Sequence, residues 1–231
     1  QRAAAVQPAL PDSLGESLAG FTVAQSGEEA LAVLTDLGIR TPKSELVGNA
    51  DDAVAAAARL GHPVVLKSGD PNALHKTESS GVHVGLETEE AVRKAAAGLG
   101  AVGDGSILVQ EQVVGGVELL LGVQTDAELG TFLLVGMGGI WTEILADVAI
   151  RPAGLLEGEA EEMLRSLRSF RLLEGVRGAP PCDIDAVVDA INRLDALAVA
   201  YGAGLESIDV NPLIATPSGA IAVDCLVVPR S

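Results

Sequence analysis

Residues 205–224 read LESIDVNPLIATPSGAIAVD, the pattern of a β-hairpin. Ile208, Val210 and the Leu213–Ile214 pair are strand formers, and Ala220–Val223 is a second short apolar run. Thr216-Pro217-Ser218-Gly219 between them is turn chemistry. With Pro217 and Ser218 at the tip, Asn211 lies opposite Asp224. Side chains opposite one another on neighbouring strands sit roughly 5 Å apart at Cβ. That spacing suits one hard divalent cation, since Mg²⁺ takes one or two protein oxygens and fills its shell with phosphates and water. Asp209, two residues before Asn211, projects on the same face. Pro212 has no N–H and marks a bulge or an edge position. The plainer reading is a surface hairpin with ordinary turn polar residues, and the stretch alone leaves both readings open.

The 231 residues suffice for one large domain or two lobes with real cores. Apolar residues make up 48 % of the chain, so it folds and is not disordered. Aromatics are only 2 %, which leaves Val, Leu, Ile and Ala to build the core. Acidic residues outnumber basic ones 32 to 15, a net charge of −17 that repels nucleic acid and anionic membranes. An anionic ligand must therefore be held by local donors or a metal. Cys182 and Cys225 form no disulfide framework and read as reduced thiols of a cytoplasmic protein. The longest uncharged apolar run, Thr131–Trp141, is too short and too glycine-rich to span a bilayer. The opening QRAAAVQPALPDS lacks the apolar stretch of a secretory signal and reads as a linker within a longer polypeptide.

Residues 1–24 are accordingly expected as linker, 25–110 as a first lobe and 111–231 as a second. Ser26-x-x-Glu29 opens a helix closed by Gly38, and an Ala-rich helix runs from Asp51 to Gly61. VVLK at 64–67 is a buried strand, and a long polar loop, Ser68–Ser80, follows it. Val82–Leu86 and Ile107–Gln110 read as strands flanking a helix over Thr88–Leu99. Val117–Thr125 and Thr131–Val135 are adjacent strands joined by an acidic turn. Asp183–Tyr201 is the clearest helix, capped by Asp183 and stopped by Gly202. Strands and helices mix without strict βαβ alternation, which favours an α+β fold.

Several side chains could carry chemistry, each with a blander alternative. Lys67 ends an apolar strand, where it can hold a phosphate as a point charge or simply sit in solvent. Lys76, Thr77 and Ser79-Ser80-Gly81 could cradle phosphate, but no GxxxxGK[ST] precedes a helix, so this is no Walker loop. GMGG at 136–139 is a weak signal on its own, because glycine clusters usually mark turns. Glu111 and Glu118 follow successive strands, where a carboxylate can accept from ribose hydroxyls or merely face water. His75 lies mid-loop, where it is either a phosphoryl acceptor or an inert surface histidine.

Together these segments resemble a family. PVVLK at 63–67, LHKTESSGVHVGL at 74–86, VQE at 109–111, VELLLGVQTD at 117–126, GMGGIWTE at 136–143, DVAIR at 147–151, LLEGVRG at 172–178, and IDVNPL with AVD occur in one order. They resemble the ATP-grasp domain of the NDP-forming acyl-CoA synthetases, the ADP-forming acetate–CoA ligases, and more distantly the β subunit of succinyl-CoA synthetase. The resemblance covers roughly residues 24–228 and implies two α+β lobes closing on ATP or ADP. It implies that Lys67 contacts phosphates, that Gln110–Glu111 reads adenine, and that Glu118 meets the ribose. It places Mg²⁺ on Asn211 and Asp224, sets Asp209 against a phosphohistidine, and makes His75 a second phosphoryl carrier. The implied reaction is acyl-CoA + ADP + phosphate ⇌ acid + CoA + ATP. The implied partners are CoA-binding and ligase domains, in the same polypeptide or in a separate α subunit. Two departures stand out: Ser79-Ser80 replaces a segment that usually carries a further glycine, and Gly154 stands where proline is usual. Alternatives are a catalytically reduced regulatory module fused to a protein acetyltransferase, or another ATP-grasp carboxylate ligase.

Overall fold

The computed structural model describes residues 7–70, 81–101, 103–139 and 147–230. Its elements run α1 (Asp12–Gly20), β1 (Gln25–Ser26), α2 (Glu28–Asp36), β2 (Ser44–Val47), α3 (Ala50–Leu60), β3 (Val64–Ser68), β4 (Val82–Leu86), α4 (Glu89–Leu99), β5 (Ile107–Glu111), β6 (Val117–Asp126), β7 (Gly130–Met137), β8 (Val148–Pro152), α5 (Glu159–Ser166), α6 (Ile184–Tyr201), β9 (Leu205–Thr216), β10 (Gly219–Ala222) and β11 (Cys225–Pro229). The fold is α+β, and the chain divides into two compact units.

The smaller unit, Ala24–Ala30 with Pro42–Val114, is built on an antiparallel sheet in the order β2-β5-β3-β4. Helices α3 and α4 supply its core. Ala53, Ala56 and Ala57 of α3 and Val92, Ala95, Ala96 and Leu99 of α4 pack with Val64, Leu66, Ile107 and Val109 of the sheet. Small alanine side chains let both helices lie close to the strands. Asn49 caps α3 by accepting from the Asp52 N–H at 2.9 Å, and Thr88 caps α4 by accepting from Ala91 at 3.2 Å. Strand alternation turns Val65, Lys67, Leu108 and Gln110 to the other face of the sheet. Their register pairs Val65 with Gln110 and Lys67 with Leu108.

The larger unit, Gln1–Val23 with Leu31–Thr41 and Gly115–Ser231, carries the antiparallel order β11-β9-β6-β7-β8, with β10 also paired to β9. Helix α6 lays Val187, Ala190, Ile191, Leu194 and Leu197 into the core, together with Leu119, Leu121, Val123, Leu133 and Val135 of the sheet. Asp183 Oδ1 caps α6 through the Ala186 N–H at 3.0 Å. Gly202 ends the helix where any Cβ would sit 2.6 Å from Thr131 Oγ1, so close approach to β7 demands glycine there.

Two expectations need correcting. The stretch expected as linker contains α1, whose Leu14 and Leu18, spaced i,i+4, are buried in the larger unit. Gln7 in the same stretch donates from Nε2 to Asp195 at 2.7 Å. A single cut after residue 110 also differs from the compact units: residues 111–114 belong to the smaller one and Leu31–Thr41 to the larger.

The unusual Gly154 has a local cause. Its φ is +92°, and its N–H donates to the fully buried Asp195 carboxylate at 2.8 Å. Proline can satisfy neither condition, having a fixed φ near −65° and no N–H. The polar loop segment 71–80 and residues 140–146 lie outside the described residues, and with them His75, Lys76, Thr77 and Ser79-Ser80.

Candidate functional site

Strand β9 positions the acidic cluster. It is no isolated hairpin arm: it lies inside the sheet, flanked by β6 on one side and by β10 and β11 on the other. The hairpin register pairs Leu213 with Ala222, and Val210 with Cys225. Between these pairs the Asn211 N–H donates to the Asp224 carbonyl at 3.2 Å, and the Val223 N–H donates to the Pro212 carbonyl at 3.1 Å. Asn211 and Asp224 therefore lie directly opposite one another, as the sequence predicts.

Pro212 belongs to a bulge. Towards β6, Leu213 pairs with Leu119 and Val210 with Leu121, so Asn211 and Pro212 together oppose Leu120 alone. The extra residue shifts the phase of the strand. Ile208 and Val210 are buried before the bulge, Leu213 and Ala215 after it. Asn211 emerges at the step, exposed, on the outer face that also carries Asp209.

The electrostatics identify the same face. Burial, and then the nearby Asp224 carboxylate, raise the Asp209 carboxyl above its ordinary value. Burial with the charges of Asp224 and Asp209 drives the buried Cys225 thiol well above its usual range. A raised thiol beside two carboxylates is disfavoured as a thiolate. Asp224 Oδ1 accepts from the Cys225 N–H at 3.1 Å. The donor set is thus oxygen only: one amide and one carboxylate, with a second carboxylate beside them. No group of three or more His, Cys, Asp or Glu side chains able to hold an ion occurs among the described residues. An ion on Asn211 and Asp224 must complete its shell with water or phosphate oxygens, which is the habit of Mg²⁺ and not of a caged structural metal.

Glu118 opens the neighbouring strand β6 and pairs with Ile214 of β9. With Leu119 and Leu121 in the core, Glu118 projects on the outer face, as Asp209 and Asn211 do. On β6 its row stands two residues from Leu120, which the Asn211–Pro212 step opposes, roughly 7 Å at strand rise, about the reach of a short polyphosphate chain. Glu118 lines a cleft of about 530 Å³ within the larger unit, walled by Gly116, Met137, Leu172, Val176 and Cys182. The glycines of the GMGG run close over it. The Gly138 N–H donates to the Glu118 carbonyl at 2.8 Å, and a Cβ on Gly138 would meet the Glu118 backbone at 2.9 Å.

In the smaller unit, Lys67 is only 5 % exposed, which removes the reading of a solvated strand end. Gln110 is 1 % exposed on the same face of the sheet, and its Nε2 has no hydrogen-bond partner among the described residues. An orphaned buried donor is costly and marks a place where a ligand acceptor fits. Glu111 falls on the opposite side of β5 from Gln110 and is exposed. One side chain of that pair, not both, therefore shares a face with Lys67.

Sequence reasoning undervalued two positions outside this set. Asp147 is buried and accepts from the N–H groups of Arg168 and Ser169, both at 2.9 Å. Asp195 accepts from Gly154 at 2.8 Å and Leu155 at 3.0 Å. The signal for Asp195 was a carboxylate on the apolar stripe of a helix, where an unpaired charge is not tolerated.

The profile of the ATP-grasp domain family matches residues 22–228. The chain belongs to the ATP-grasp family. Within it, this ATP-grasp domain groups with the ADP-forming acetate–CoA ligases. It is 32 % identical over 204 residues to the β subunit of acetate–CoA ligase [ADP-forming] I of Pyrococcus furiosus, covering 85 % of this chain and 88 % of that subunit. It is 36 % identical over 206 residues to acetate–CoA ligase [ADP-forming] I of Archaeoglobus fulgidus, covering 86 % of this chain. It spans only 30 % of the length of that relative. Among solved structures it superposes on acetyl-coenzyme A synthetase 1 of Ca. Korarchaeum cryptofilum, in complex with coenzyme A and Ca-AMPCP. The TM-score is 0.86 and the identity 34 %, over 95 % of this chain and 99 % of that one. The same synthetase has also been solved with Mg-AMPPCP.

Proposed function

We propose that this chain is the nucleotide-binding and phosphoryl-transfer part of an ADP-forming acyl-CoA synthetase. The overall reaction would be acyl-CoA + ADP + phosphate ⇌ acid + CoA + ATP. The observation that carries the reading is the placement, on one face of one sheet, of the opposed Asn211 and Asp224 and of Glu118 roughly 7 Å away along the strands. A nucleotide lying along that face presents its ribose hydroxyls to Glu118 and its terminal phosphates to the acidic step.

The residue roles follow. Glu118 accepts from the ribose. Lys67 neutralises phosphate oxygens. Gln110 donates from its orphaned Nε2 to an acceptor on the base. Asn211 and Asp224 hold Mg²⁺, which when bound neutralises phosphate charge. Asp209, raised by burial and by Asp224, is suited to meet an imidazole. His75 is proposed as the phosphoryl carrier. In the ATP-consuming direction its imidazole nitrogen bonds to the γ-phosphorus, the bond to the bridging oxygen breaks, ADP leaves and the ring proton is released. The acyl-CoA half of the reaction belongs to CoA-binding domains, in the same polypeptide or in an α subunit. No described helix is long and apolar enough to cross a membrane, and a cytoplasmic site of action accords with the reduced thiols.

The test is calorimetric titration with Mg·ADP, followed by labelling with γ-labelled ATP in the presence of the CoA-binding part. Saturable nucleotide binding and an acid-labile, base-stable label lost in His75→Ala are expected. Absence of nucleotide binding at millimolar concentration would overturn the reading. Full turnover by His75→Ala would remove the carrier role alone.

A further inference from the structure

Gly139 ends the GMGG run at φ +68°, where glycine is favoured. A Cβ built there would lie 2.7 Å from Glu118 Oε2 and, among the described residues, within 4 Å of no other heavy atom except the carboxyl carbon of the same side chain. The volume a side chain would fill is thus taken by one carboxylate. Gly138 differs: a Cβ there would strike the backbone and Cβ of Glu118, so its lack of a side chain serves the path of the strand. Both glycines and Glu118 line the same cleft.

We propose that Gly139 is a positioning residue that sets sugar specificity. On the reading that Glu118 meets the ribose, the absent side chain of Gly139 seats the Glu118 carboxylate where it accepts from the sugar hydroxyls and so favours ribonucleotides over deoxyribonucleotides. Glu118 is exposed, and a carboxylate on an unbranched side chain at the rim of a cleft has many rotamers to choose from. Any Cβ at residue 139 excludes the observed one.

The experiment compares affinities of the full-length protein for Mg·ADP, Mg·2′-deoxy-ADP and Mg·3′-deoxy-ADP, with Mg·tripolyphosphate as a probe that has no sugar. The wild type should prefer ADP to at least one deoxy analogue by about tenfold, the scale of one hydrogen bond to a charged group. In Gly139→Ala the preference should fall towards unity, with tripolyphosphate affinity and the circular dichroism spectrum unchanged. Gly139→Asn carries the same Cβ but tolerates the left-handed backbone, so it should lose the preference without the backbone strain. Wild-type preference in both Gly139 variants, alongside its loss in Glu118→Ala, would overturn the proposal and leave the ribose role of Glu118 standing. Wild-type preference in Glu118→Ala would overturn that role, and this inference with it.

Discussion

The Asn211 N–H donates to the Asp224 carbonyl at 3.2 Å, and this single backbone bond holds an amide and a carboxylate across from one another at the phase step of the sheet. Because Asn211 is exposed and Asp224 half-buried, neither side chain is needed by the core. Asn211→Ala and Asp224→Ala should each weaken Mg²⁺-dependent nucleotide binding about tenfold or more, with melting temperatures little changed. Titration with Mg·ADP and with metal-free ADP reads this directly. If both variants keep the wild-type response to Mg²⁺, these are not the ligands.

Gln110 offers a trade between stability and binding. Its Nε2 is buried without a partner among the described residues, so Gln110→Leu removes that donor while nearly conserving volume. The unliganded protein should be as stable as wild type or about 1 kcal/mol more so, while Mg·ADP affinity falls. Chemical denaturation and titration on one preparation check both halves. A clear loss of stability would show that the amide is satisfied within the fold.

Asp147 predicts an acid limit. Burial alone would raise its carboxyl, but the N–H groups of Arg168 and Ser169 outweigh that and hold it below the ordinary value of 3.8. A lowered folded value means the bonds contribute fully above pH 3.8 and are lost as pH falls through the lowered value. Asp147→Ala leaves two part-buried backbone donors without that acceptor and should cost about 2 kcal/mol near neutral pH. The gap between variant and wild type should close on strong acidification, as urea midpoints across a pH series would reveal. A constant gap down to pH 2 would contradict the ionised, hydrogen-bonded state.

Asp195 should matter more. It is fully buried in the middle of α6 and accepts from Gly154, Leu155 and Gln7. Asp195→Ala should destabilise by about 3 kcal/mol or more through the orphaned N–H groups of the 154–155 turn. Hydrogen exchange should report faster exchange at Gly154 and Leu155 than at the core of β7. Protection unchanged at those two amides would show that the carboxylate is dispensable.

The hairpin was legible because its information is local. The turn residues set the register, the register sets Asn211 opposite Asp224, and Pro212 announces the bulge through its missing N–H. The capped helices were legible for the same reason: Asn49, Thr88 and Asp183 act within one turn of their own positions. Other features depend on contacts far along the chain. Helix α1 was hidden behind Pro11, Gly15 and Gly20, and its two leucines gain their meaning only from the larger unit they pack into. The apolar run before Lys67 announced a buried strand, but nothing local showed that the polar side chains of Lys67 and Gln110 are themselves removed from water by tertiary packing. The GMGG glycines read as a turn until the nearest atom to the last one proved to be a carboxylate oxygen.

The two-against-one step at Asn211–Pro212 constrains how this family can drift in length. Ile208 and Val210 are buried before the step, and Leu213 to Thr216 are all buried after it, with Leu213 and Ala215 the most deeply so. A one-residue deletion at the step would restore a regular ladder towards β6, yet it would leave either the Ile208–Val210 pair or the Leu213–Ala215 pair on the wet side of the sheet. A length change at the Pro217–Ser218 tip would leave that phase, and with it the spacing between the acidic step and the cleft, undisturbed. On the proposed reading, a ruler of that kind would let the terminal phosphates and the sugar be addressed by separate residues of one sheet.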